Sequence, residues 1–128
     1  MGEAIRKIAL IDDDDAIRET IADILSSEGY RVVAYANGKE ALDGLPKADL
    51  PDVILCDLMM PVMNGWQFLE AQASQRGEVG RIPVVVFSAS PDYKTLEHEA
   101  VQEVVSKPFN IDDLVDLIER HCPKPREY

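Results

Sequence analysis

Basic residues are scarce in this 128-residue chain: 13 lysines and arginines stand against 24 aspartates and glutamates, for a formal net charge of −11. Binding to a phosphate backbone draws on clustered cations, so the deficit argues against direct nucleic-acid binding. Cysteine is scarcer still. Cys56 and Cys122 make no disulfide framework, and Cys56, at the end of an apolar run, reads as a small core residue. A reducing cytoplasm is the expected setting. No apolar run approaches the length of a bilayer span and no signal peptide precedes the first run, so no membrane association is expected. Arg6 stands where a Met-Gly myristoylation start needs Ser or Thr. Neither glycine-rich nucleotide turn occurs. The two histidines, His98 and His121, stand apart on helical segments and read as surface residues. What remains is a chain of one-domain size, 46% hydrophobic and 29% charged, able to bury a core without staples.

Its apolar residues come in alternating periods. Lys7 to Ile11 is a continuous run, as in a strand buried on both faces. Ile17, Ile21, Ile24 and Leu25 then recur at helical spacing, and Gly29 follows where a C-terminal cap belongs. Arg31 to Tyr35 predicts a second strand, and Asn37 caps a short helix with Ala41, Leu42 and Leu45 that Pro46 stops. Val53 to Cys56 is the third strand. Asn64 caps a helix burying Phe68 and Leu69, with Gln67 at the capping-box position, and Trp66 is packing at its start. Ile82 to Phe87 is the fourth strand, with Pro83 near its start. Pro91 opens a short helix with Leu96, Ala100 and Val101 inward, and Glu103 to Ser106 is the fifth strand. Asn110 caps a last helix carrying Ile111, Leu114, Val115 and Ile118 on one face. Five βα units predict a single α/β domain: a parallel sheet with helices on both sides. Its core spans about 7–121; residues 122–128, with Pro123-Lys124-Pro125, are a tail or the stump of a linker.

Four of the strands end in polar residues of different kinds. Asp12-Asp13 follow the first, Asp57 the third, Ser88 the fourth and Lys107 the fifth. In an open parallel sheet these ends converge on one edge, where ligands bind. In a flavodoxin-like order 2-1-3-4-5, strands one and three are neighbours, which gathers Asp12, Asp13 and Asp57. Like charges about 4 Å apart repel by roughly 4 kcal/mol at an effective dielectric near 20. Three carboxylates therefore either raise their pKa values or hold a cation. Oxygen ligands with room for water and phosphate suit Mg2+. Asp14 and Asp15 read instead as acids favoured at a helix start. The run is no EF-hand, because Ala16 and Ile17 stand where a ligand and the turn glycine belong. Lys107, before Pro108, is placed to counter the charge of a phosphoryl group.

Together, Asp12-Asp13, Asp57…Met60-Pro61…Gly65, Ser88-Ala89 and Lys107-Pro108-Phe109 resemble the response-regulator receiver domain of two-component signalling, chemotaxis regulators included. The resemblance covers about Lys7 to His121. It implies the doubly wound (βα)5 flavodoxin-like fold in the order 2-1-3-4-5. It implies that Asp57 accepts a phosphoryl group from a histidine kinase or phosphotransfer protein. Asp13, Asp57 and the backbone carbonyl of Met59 would ligate Mg2+, Asp12 would act partly through a bound water, and Ser88 and Lys107 would hold phosphoryl oxygens. The expected output is a downstream protein partner or a C-terminal output domain. The domain would be no enzyme beyond promoting its own phosphorylation and dephosphorylation.

Two departures from the family stand out. Val104 replaces the usual aromatic three residues before the lysine, and the Ser88–Lys107 stretch is short, with Val101-Gln102 for the usual Gly-Ala. They fit the alternative of a phosphorylation-independent, pseudo-receiver-like interaction module. The intact acids, hydroxyl and lysine favour the switch. An aspartyl phosphatase fits less well, since Met59 stands where its second acid belongs.

Overall fold

The structure is a computed structural model that describes residues 6–45, 50–57, 65–73, 82–88, 101–106 and 110–121, with side chains except at 65, 66, 69, 73, 88, 101–106, 111 and 121. Strand β1 (Lys7–Ile11) leads into helix α1 (Asp15–Ser27), then β2 (Arg31–Tyr35), α2 (Gly38–Gly44) and β3 (Val53–Asp57). Helix α3 (Gly65–Ala73), β4 (Val84–Ser88), β5 (Val101–Ser106) and α4 (Ile111–His121) complete it. The strands form one parallel sheet in the order β2-β1-β3-β4-β5, the doubly wound flavodoxin-like arrangement expected from the sequence.

Alternation along the central strands divides the core in two. Ile8, Leu10, Val53, Leu55, Val85 and Phe87 pack on one face with Ile21 and Leu25 of α1 and Leu114, Leu117 and Ile118 of α4. Ala9, Ile11, Ile54, Cys56, Val84 and Val86 pack on the other with Ala41, Leu45 and Phe68. Strands buried on both faces must read as unbroken apolar runs, as these do. The helix ends follow from local hydrogen bonding. Gly29, at φ 98°, lets its N–H reach the Ser26 carbonyl and that of Tyr30 reach Leu25, each at 3.1 Å, which closes α1 in a Schellman motif. Asn37 and Asn110 cap α2 and α4 with their side-chain oxygens, accepting from Glu40 and Asp112 at 2.9 Å.

The structure corrects several boundaries. β4 begins at Val84, not Ile82. Pro83 has no N–H to donate; its carbonyl accepts from Ile54 at 2.9 Å, and the Ile82 carbonyl accepts from the buried Gln72 amide at 3.0 Å. β5 begins at Val101, which pairs with Val84 instead of closing a helix. Val85 then pairs with Glu103, so Gln102 is an extra residue in the strand. Ile17, which shares the helical spacing of Ile21 and Leu25, is 38% exposed while those two are buried. Leu117, not singled out from the sequence, is buried on α4. The rest of the helix expected from Pro91, with Leu96 and Ala100, and the Asn64 cap lie outside the described residues. No helix among the described residues is long and apolar enough to cross a membrane.

Candidate metal and phosphoryl site

Sheet register builds the site. β1 pairs with β3 so that Ile11 lies opposite Cys56, and the next residues, Asp12 and Asp57, emerge side by side at the carboxyl ends of the two strands. Asp57 still belongs to β3 and pairs with Phe87 of β4, which fixes its backbone on that side. Asp12 is fully buried and Asp57 is 3% exposed, while Asp13 is open to solvent. One carboxylate oxygen from each of the three lies within 4.8 Å of the others. This is the cluster expected from the sequence. Two buried carboxylates with an exposed third form an all-oxygen donor set with a wet side, which fits a hard divalent cation that keeps part of its hydration.

The turn carrying Asp12 and Asp13 is heavily constrained. The Asp12 amide extends the β1–β2 ladder by donating to the Tyr35 carbonyl at 3.2 Å. Its carboxylate accepts from the Asp14 amide at 2.8 Å, and the Asp14 carboxylate caps α1 by accepting from the Ile17 amide at 3.0 Å. Asp14 and Asp15 therefore serve the helix start, as read from the sequence. Arg18 reaches back from the first turn of α1. Its Nη1 donates to the Asp12 carbonyl oxygen at 2.7 Å and its Nη2 pairs with the Asp15 carboxylate. The sequence reading passed over Arg18. An arginine one turn after a strand-end acid is a common surface pattern, and only the fold shows that it touches the backbone between two clustered acids.

Cys56, beside Asp57, is free and wholly buried, and its Sγ lies 3.3 Å from the Asp57 carbonyl oxygen. Burial, and then the negative charges of Asp57 and Asp12, push its thiol well above the usual range. It is no nucleophile, in keeping with the core role read from the sequence. Ser88 ends β4 opposite Ser106 of β5, so the strand register brings both backbones to the site edge of the sheet. The Ser88 side chain, Lys107 and the Met59 carbonyl lie outside the described residues.

Comparison with known proteins agrees with this geometry. The chain is 36% identical over 111 residues, 84% of its length, to the sensor histidine kinase TmoS of Ectopseudomonas mendocina, and matches 11% of that protein. It spans a quarter or less of the length of several curated relatives that it matches. Chemotaxis protein CheY4 of Vibrio cholerae superposes with a TM-score of 0.81 at 30% identity, over 91% of this chain and 98% of that one. Response regulator TrrA of Thermotoga maritima, solved in complex with Mg2+ and BeF, superposes with a TM-score of 0.78 at 25% identity, over 91% and 99%. The model of the response regulator receiver domain matches residues 8–119. The chain belongs to the receiver-domain family of two-component response regulators.

Proposed function

We propose that this receiver domain is a phosphorylation-dependent switch in which Asp57 accepts a phosphoryl group from a histidine kinase or phosphotransfer protein. The observation that carries the reading is the meeting of Asp12, Asp13 and Asp57 within 4.8 Å at the end of the central strand. An Asp57 carboxylate oxygen attacks the phosphorus of the donor phosphohistidine. The P–O bond forms as the P–N bond breaks, and the imidazole leaves with the electron pair and takes up a proton from solvent. Burial of Asp57 on a strand paired from both sides fixes the direction of attack, so the reacting atoms meet without a search.

Asp13, Asp57 and the Met59 carbonyl would hold Mg2+, with Asp12 acting partly through water. When bound, the ion offsets the charge gathered on the carboxylates and phosphoryl oxygens. Ser88 and Lys107 would donate to phosphoryl oxygens. TrrA, solved in complex with Mg2+ and BeF, supports the same choice of ion here. The domain would turn over no separate substrate, and its output would pass to a protein partner or to a linked output domain.

The test is incubation with acetyl phosphate and Mg2+. One acid-stable, base-labile phosphoryl group should be added per chain, and none in Asp57→Asn, whose amide oxygen is a poor nucleophile. Labelling of that variant near the wild-type level would place the acceptor elsewhere and favour an interaction module that signals without phosphate.

A further inference from the structure

We propose that Arg18 is a positioning residue for the metal site, setting the angle at which Asp12 and Asp13 present their carboxylates. The proposal rests on the metal-binding reading above. The Asp12 carbonyl that accepts from Nη1 at 2.7 Å belongs to the peptide linking Asp12 to Asp13. Rotating that peptide plane tilts both side chains at once. One edge of the turn is pinned by the Asp12 amide on the Tyr35 carbonyl and by the Asp12 carboxylate on the Asp14 amide. Arg18 supplies the contact to the carbonyl between the two acids. The guanidinium is itself held, since its Nη2 pairs with Asp15 and its side chain is only 18% exposed. Its backbone amide donates to the Asp14 carbonyl at 2.9 Å, which roots it in the first turn of α1. A planar fork can hold carbonyl and carboxylate together; an ammonium is a point charge without that geometry.

Charge and geometry make opposite demands, which makes the inference decidable. As a cation beside a cation site, Arg18 repels Mg2+, so removing its charge alone tightens binding. As the anchor of the ligand-bearing peptide, it favours binding, so removing it weakens binding. Outer-shell contacts that orient metal ligands are typically worth 10- to 100-fold in affinity, whereas a partly exposed charge acts through screened solvent. Geometry therefore prevails.

The experiment is calorimetric titration of MgCl2 into the 128-residue chain, as wild type, Arg18→Gln and Arg18→Lys, with the metal-free melting temperature of each measured alongside. Both variants are expected to raise the Mg2+ Kd by roughly tenfold. Should Arg18→Gln not fold, Arg18→Lys, which keeps the charge and the aliphatic stem, carries the same expectation. An unchanged or lowered Kd in Arg18→Gln overturns the inference, as does an Arg18→Lys chain that binds like wild type. A lowered melting temperature with unchanged Kd also overturns it, since it would reduce Arg18 to a structural contact. A wild type that does not bind Mg2+ overturns the proposed function together with this inference. A wild type that binds beside variants that bind equally well overturns the inference alone.

Discussion

Cys56 lies one peptide bond from the proposed acceptor, and its environment has a cost that appears only in alkali. Its thiol is raised in the folded chain, first by burial and then by Asp57 and Asp12, from an ordinary value of 9.0. A raised folded-state pKa means stability that is complete below the unfolded value and declines above it, because the unfolded thiol ionises while the folded one cannot. Each pH unit above the unfolded pKa then costs about 1.4 kcal/mol. Between pH 8 and pH 10.5 in EDTA, urea unfolding of the wild type is expected to lose about 2 kcal/mol more than that of Cys56→Val. Equal losses in the two proteins would show that the thiol does not set the alkaline limit. Single residues were also where the sequence was easiest and hardest to read. Asp12, Asp13 and Asp57 were legible because each follows an apolar run, and the register does bring them together. Ile17 shares the helical spacing of Ile21 and Leu25 yet is 38% exposed, because spacing alone does not report how deeply each turn of a helix is covered. Arg18 was invisible because its partner is a backbone carbonyl, which no side-chain pattern encodes.

Among the elements, α1 positions the site and both its ends are fixed by local chemistry. Asp14→Ala removes the carboxylate that accepts from Ile17 and should cost about 1 kcal/mol, most of it restored by Asp14→Ser. Gly29→Ala meets no neighbouring atom within 4 Å, so its cost should be purely that of the left-handed backbone, about 1 kcal/mol. Urea midpoints with unchanged slopes would measure both, and a neutral Gly29→Ala would contradict the Schellman reading. These ends were legible because caps are written in single residues. The strand boundaries were less so. Pro83 and Ile82 give their carbonyls to Ile54 and Gln72 without joining the strand, a choice made by tertiary partners and not by local preference. β5 begins early because Val101 has a ladder partner in Val84, with Gln102 bulged out to restore register. Period counting cannot anticipate an extra residue.

Across the whole molecule, a formal charge of −11 strains the folded state through self-repulsion. Added NaCl should therefore raise the melting temperature from its low-salt value by screening. Mg2+ at matched ionic strength should raise it further by mass action, through about 2.7 kcal/mol of added stability at a hundredfold excess over the Kd. Asp13→Ala should keep the first response and lose most of the second. Identical responses to the two salts in the wild type would leave only screening. The sheet order carries one more consequence, for biosynthesis. β1 and β3 are hydrogen-bonded neighbours although α1, β2 and α2 separate them in the chain. Asp12 and Asp57 thus meet only when a non-local ladder closes, a step that pays loop entropy before it gains contacts. A half-synthesised chain, or a fragment cut between α1 and β3, can carry one set of acids without the other. The proposed competence to receive a phosphoryl group would then wait on the pairing of β1 with β3, so debris from synthesis or turnover that lacks either strand would not compete for the donor.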